Sequence, residues 1–166
     1  MVTRGIGGIF VNMIQTFNPD FEADIREKLE RQEFMKLMGF EVTKIEAGRI
    51  EGELKLEQRH KQHKGFTHGG VIATLADIVA GFAAVSLVPK DHHVVTAEIK
   101  VSYFHPGVGD KLLAKGYVIK QGRKLNFCEA EVYVVKDEAE PLLIAKATTS
   151  MATITPEDLK ARVVKS

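Results

Sequence analysis

Asp77 is the only charged side chain in the stretch GGVIATLADIVAGFAAVSLVP that runs from Gly69 to Pro89. Burying a lone carboxylate is costly unless it is paired or reaches water. A carboxylate kept in such a segment is therefore a candidate base, nucleophile or ligand. The plainer alternative is that it reaches a solvent cleft or bonds a backbone group. His68-Gly69-Gly70 opens the same segment. Glycine lets a ligand approach the backbone closely. The first N–H groups of a helix are unpaired and carry the positive end of its dipole. Such a turn can hold an anion or a polarised carbonyl oxygen. Spacing then sets a condition. Gly69 and Asp77 are eight residues apart, which is about 12 Å along one helix. A single carbonyl group cannot bond both. If both serve one reaction, they come from two copies of the chain, and the site lies at a homodimer interface.

Other candidates are weaker. His60, His63 and His68 lie close together, but no carboxylate or cysteine stands beside them at ligand spacing, so no metal is expected. His68 orients its loop through its ring rather than reacting. His92-His93 reads as an exposed loop pair. Cys128 sits on an alternating strand and reads as a small buried residue rather than a nucleophile. As the single cysteine, it excludes an intramolecular disulfide framework and a Cys-rich zinc site.

The elements that must position these residues follow from pattern. Residues 18–38 read as one helix, with Asn18 as N-cap, Pro19 in the first position, an apolar stripe from Phe21 through Ile25 and Leu29, and Gly39 as the stop. Residues 40–46 and 50–57 alternate around the turn Ala47-Gly48-Arg49 and make a hairpin. Residues 58–67 are polar and basic and supply no core element. The apolar helix after His68 runs to near Pro89 and needs cover on most of its circumference. Strands follow at 95–103, 112–120, 125–136 and 142–154, and Thr155 caps a short C-terminal helix. A run of strands with a segregated helix is α+β with an antiparallel sheet. A strongly curved sheet wrapped around the central helix would cover it.

Composition narrows the class. The chain has 166 residues, one domain by length. Hydrophobic residues are 45% and charged residues 27%, a soluble globular balance. Lys and Arg number 23 against 22 Asp and Glu, so no basic excess marks a nucleic-acid binder. Residues 71–88 approach the lower length of a bilayer span, but Asp77 near the middle argues for a buried helix, not a membrane span. The apolar patch at 6–14 is too interrupted for a secretory leader and reads as an N-terminal arm.

The segment THGGVIATLADIVAGFAAV, the strand TAEIKVSYFHPG and the KQGRK turn together resemble the hotdog-fold acyl-CoA thioesterases of the phenylacetate-pathway (PaaI) type, over residues 35–154. The resemblance implies a hotdog domain at 35–154, an arm and helix at 1–34, and a tail or short helix at 155–166. It implies dimers that pair into tetramers, while the composition with its single cysteine suggests a cytoplasmic domain. It makes Asp77 the nucleophile or general base on a thioester carbonyl, and gives the Gly69 N–H of the other subunit the thioester oxygen. Thr96 stands where relatives carry a hydroxyl that orients water or the carboxylate. Gln62 stands where the family often has an oxyanion-binding Asn, with His63 beside it. His63, His68 and Gly70 would line the substrate, and Lys120, Arg123 and Lys124 would meet coenzyme A phosphates. No cofactor is implied beyond coenzyme A as part of the substrate. The alternatives on the same fold are a non-catalytic acyl-CoA-binding protein and a hydratase or dehydratase.

Overall fold

The computed structural model describes residues 14–163. The arm expected at 6–14 therefore lies outside the described residues, apart from Ile14, whose side chain lies against Gly48.

Six strands form one antiparallel sheet: β1 (Phe40–Glu46), β2 (Arg49–Lys55), β3 (His93–Tyr103), β4 (Lys111–Lys120), β5 (Leu125–Val135) and β6 (Leu142–Ile154). Their order across the sheet is β1-β2-β4-β5-β6-β3. Two short helices precede the sheet, α1 (Phe21–Glu30) and α2 (Glu33–Met38). The long helix α3 (Gly69–Val85) crosses it, and α4 (Pro156–Val163) follows it. The α3 helix touches all six strands, so the sheet curls around it. Close approach is set by Gly116 on β4. A Cβ there would fall 2.4 Å from the Val79 backbone carbon and 2.6 Å from Ala80 N. Strand alternation places Leu112, Ala114 and Val118 on the same buried face, toward α3.

The structure corrects several local expectations. Residues 18–38 do not form one helix. The chain breaks at Arg31-Gln32, although the apolar stripe continues across the break. Asp20, not Asn18, is the N-cap of α1 and makes no side-chain cap. Asn18 instead accepts from Asp20 N–H at 3.1 Å and donates to the Asp24 carboxylate at 2.7 Å. Gly39 ends α2 in the left-handed region as expected, with φ of 74°. The polar stretch 58–67 does contribute to the core. Residues Gln58–His60 form a 3₁₀ turn, and His60 is buried. The His60 ring accepts from Glu57 N–H through Nδ1, and Nε2 donates to the Met38 carbonyl. The long helix ends at Val85 rather than near Pro89, with Leu87 and Val88 still buried beyond it. Thr155 caps α4, accepting from Asp158 N–H while its own N–H donates to the Asp158 carboxylate.

Two surfaces stay uncovered. One stripe of α3, including Gly70, Ala73, Asp77, Gly81 and Val85, is exposed or half-buried, so the helix is not enclosed on every side. Among the described residues, strand β3 pairs with β6 on one side only, and its Val95, Ile99 and Tyr103 are exposed. Among the described residues, no helix is long and apolar enough to cross a membrane.

Candidate functional site

Asp77 lies midway along α3, half-buried rather than enclosed. The Thr96 hydroxyl on β3 donates to Asp77 Oδ1 at 2.7 Å. Thr96 also stands 3.5 Å from Met151 Sδ on β6, which backs it. The pair lines a cleft of about 360 Å³. The α3 and β3 elements form two walls, and the α1–α2 strap forms the third through Lys28, Gln32, Phe34 and Met35. One carboxylate oxygen is thus held by a hydroxyl while apolar groups crowd the site. That arrangement suits a fixed base or nucleophile.

The start of α3 is organised by His68. Its Nδ1 accepts from Gly70 N–H at 2.9 Å, which puts the ring proton on Nε2. A side chain at Gly70 would come within 3.0 Å of that nitrogen. The His68 carbonyl takes the N–H groups of Val71 and Ile72. Gly69 N–H is left with no acceptor among the described residues. The Gly70 donor is engaged, so Gly69 N–H is the one free for an incoming oxygen. The Tyr103 hydroxyl donates to the Gly69 carbonyl at 2.9 Å and braces this turn.

Gly69 and Asp77 open into different clefts. Gly69, Gln62, Tyr103 and His105 line a second cleft of about 350 Å³. Gln62 is held there by a small turn, its N–H bonded to the Phe66 carbonyl and its carbonyl to Gly65 N–H, with Gly65 at φ of 84°. The Gln62 side-chain amide has no partner among the described residues. His63 is exposed at the tip of the same turn and lines neither cleft. Within one chain, then, Asp77 joins Thr96, and Gly69 joins Gln62, but the two pairs do not meet.

Lys120, Arg123 and Lys124 are exposed at the β4–β5 turn without ion-pair partners among the described residues. Arg123 and Lys124 line a third cleft of about 910 Å³ against β6 and α4, and Lys120 does not. His92 and His93 are corrected. They line the Asp77 cleft, His92 is half-buried, and His93 begins β3. Cys128 is 1% exposed, and burial pushes its thiol up to about 11, which removes it as a nucleophile. Among the described residues, no three His, Cys, Asp or Glu side chains are placed to hold a metal. The α1–α2 residues, His92, His93 and Tyr103 were missed as site residues. Only the exposed apolar types of Phe34 and Tyr103 offered a signal, and that signal does not say what they face.

A curved antiparallel sheet wrapped around one long helix is the hotdog fold, here with a lone helical carboxylate and a glycine turn at the helix start. The comparisons agree. The thioesterase superfamily model matches residues 64–140. A Caenorhabditis elegans protein with a provisional esterase name is 37% identical over 92 residues, which are 55% of this chain and 52% of that protein. The chain thus spans about half the length of that relative. Human acyl-coenzyme A thioesterase 13 is 26% identical over 111 residues, 65% of this chain and 78% of that one. A thioesterase family protein of Silicibacter pomeroyi superposes with a TM-score of 0.79 at 29% identity, covering 81% of this chain and 98% of that one. The PaaI protein of Escherichia coli shares the fold, with a TM-score of 0.72 at 18% identity over 84% of this chain and 96% of that one. The chain is thus similar to the thioesterase superfamily over residues 64–140 and shares the fold of solved thioesterases.

Proposed function

We propose that this protein hydrolyses the thioester of an acyl- or aryl-coenzyme A to the free acid and coenzyme A, in a site shared by two copies of the chain. The observation that carries the proposal is the division of parts. Asp77 with Thr96 lines one cleft, while the unpaired Gly69 N–H with Gln62 lines another. A two-fold dimer that sets each cleft against the other's partner would complete two sites. The unpaired edge of β3, with Val95, Ile99 and Tyr103 exposed, supports pairing with a second copy. Two such dimers would pair into the tetramer. Cytoplasmic residence fits a chain with no disulfide to protect.

In the general-base route, Asp77 takes a proton from water as the water oxygen attacks the thioester carbon. The carbonyl electron pair moves to oxygen, which the partner's Gly69 N–H holds with help from the Gln62 amide. Collapse of the adduct breaks the carbon–sulfur bond, and the Asp77 proton passes to the departing thiolate. In the nucleophilic route, Asp77 attacks the carbon itself, the carbon–sulfur bond breaks to release the coenzyme A thiolate, and water then cleaves the mixed anhydride, returning the Asp77 carboxylate, releasing the acid and supplying the thiolate's proton. Thr96 orients the carboxylate in both. Arg123, Lys124 and Lys120 would meet the coenzyme A phosphates, while His68 shapes the turn. Gly70 acts through that turn by donating to the His68 ring, and His63 sits at the tip of the Gln62 turn, outside both clefts.

A second reading, hydration of an enoyl-coenzyme A, draws on His92 and His93 in the Asp77 cleft, since proton transfer at carbon commonly pairs an imidazole with a carboxylate. The test is thiol release over short, medium, long and aromatic acyl-coenzyme A esters, run beside enoyl-coenzyme A hydration. The proposal expects thiol release that Asp77→Ala abolishes while the dimer stays folded. Hydration without thiol release would select the second reading, and tight binding without either reaction would make the protein a sensor.

A further inference from the structure

The cleft that holds Asp77 changes character along its length. Its lining includes the apolar side chains of Phe34, Met35 and Ile78, with Ile78 next to Asp77 in α3. The same lining carries the polar side chains of Lys28, Gln32, His92 and His93. Lys28, His92 and His93 also border the adjoining shallow cavity beside Lys90 and Asp24, which puts these three at the end away from Asp77. Lys28 is half-buried and has no carboxylate partner among the described residues. Of the acids near this end, Glu27 pairs with Arg31, Asp24 bonds Asn18 and faces Lys90 at 3.9 Å, Asp91 is exposed beside His92, and Glu157 lies within electrostatic range of His92. His92 Nδ1 is buried with no hydrogen-bond partner among the described residues, so that ring's bonding capacity is not spent on the protein.

An ammonium and two imidazoles grouped at one end of a cleft with apolar walls, with an amide in the same lining, match one ligand group best, a carboxylate. We infer that this end of the cleft reads the far terminus of the acyl group, and that the favoured substrates are thioesters of dicarboxylic acids, with an apolar middle and a terminal carboxylate. The inference rests on the thioester reading above. Length supports the acyl side of the substrate over the coenzyme side. From Thr96 to His93, where β3 begins, the strand advances about 10 Å at roughly 3.3 Å per residue, and His92, one residue beyond, extends the span to at most about 13 Å. Less one hydrogen bond at the far end, about 7–10 Å remain, which six to eight chain bonds fill at about 1.25 Å of advance per bond. The arm from the coenzyme A sulfur to its first phosphate has about 13 bonds and would overshoot, at about 16 Å on the same advance.

The test compares kcat/KM of the full chain for suberyl-coenzyme A and octanoyl-coenzyme A, which differ only at the terminus. The expected result is at least tenfold preference for the suberyl ester. Lys28→Met should cut that ratio at least fivefold and Lys28→Arg should keep it, with melting temperatures checked on each variant. Preference for the octanoyl ester, or a ratio that Lys28→Met leaves alone, overturns the inference and leaves the thioester reading standing. An equal loss for both esters in Lys28→Met would assign Lys28 to the coenzyme and also overturn it. Absence of thiol release from every ester would overturn the thioester reading itself, and this inference with it.

Discussion

Replacing Thr96 with valine removes one hydroxyl and keeps the β-branched shape that suits strand β3. In the structure that hydroxyl donates to Asp77 Oδ1 at 2.7 Å, a short bond to a charged acceptor. Hydrogen bonds to charged groups are worth about 1.5–3 kcal/mol. Thr96 is exposed and Asp77 only half-buried, so the lower half of that range applies. At about 1.4 kcal/mol per tenfold, the loss in kcat/KM should be about 10–40-fold. The same bond contributes to folding, so Thr96→Val should cost at most about 2 kcal/mol of stability, which leaves the chain folded at assay temperature and is read separately by melting. The assay is thiol release on the best ester, with a melting curve for each variant. Thr96→Ser keeps the donor and should recover most of the rate. A Thr96→Val enzyme within twofold of the parent, or a Thr96→Ser enzyme as slow as the valine variant, would refute the assignment of Thr96 as the group that fixes Asp77.

Three further predictions concern the frame. Gly116→Ala forces a Cβ to within 2.4 Å of the α3 backbone, and overpacking of this kind costs about 1–3 kcal/mol, read as a lower urea midpoint. Cys128, with its thiol raised to about 11 by burial, should resist a thiol-reactive dye at pH 8 in the native state and react fully once the chain is unfolded. On the outer face of the sheet, the Lys146 ammonium 2.8 Å from Glu129 holds that carboxyl below its ordinary value. A lowered carboxyl contributes stability above its ordinary unfolded value of 4.5, and that contribution fades as pH falls through the folded value. Lys146→Met should therefore lower the melting temperature at pH 7, by no more than about 4 °C for so exposed a pair, and have little effect once the carboxyl is protonated.

How far the sequence could be read depended on whether a signal was local. Asp77 stood out because a lone charge in an apolar helix is costly wherever that helix packs. Gly39 and Thr155 were legible as caps because capping is set by neighbours in the chain. The strands were legible from their alternation, yet alternation does not say what an apolar face meets. On β3 that face is exposed. The helix break at Arg31-Gln32 was hidden by an apolar stripe that continues through it. His60 looked like part of a solvated loop, because its partners, Glu57 N–H and the Met38 carbonyl, are made by a local turn and a distant helix end. The α1–α2 wall of the Asp77 cleft and the close approach at Gly116 are tertiary facts with no periodic trace. The eight-residue gap between Gly69 and Asp77 was legible, and it turned a helix dimension into a statement about assembly.

That statement can be tested by complementation. Asp77→Ala removes the carboxylate. Gly69→Pro removes the free N–H at the first helical position, where proline is tolerated and where His68 already has an extended backbone, with ψ of 133°. Each variant alone should be inactive. Co-expressed in equal amounts, half of the dimers are mixed, and each mixed dimer holds one site with both groups intact. The shared-site account predicts recovery of about a quarter of the parent activity. If Asp77 and Gly69 served a site within one chain, every chain would carry a lesion, and mixing would restore nothing.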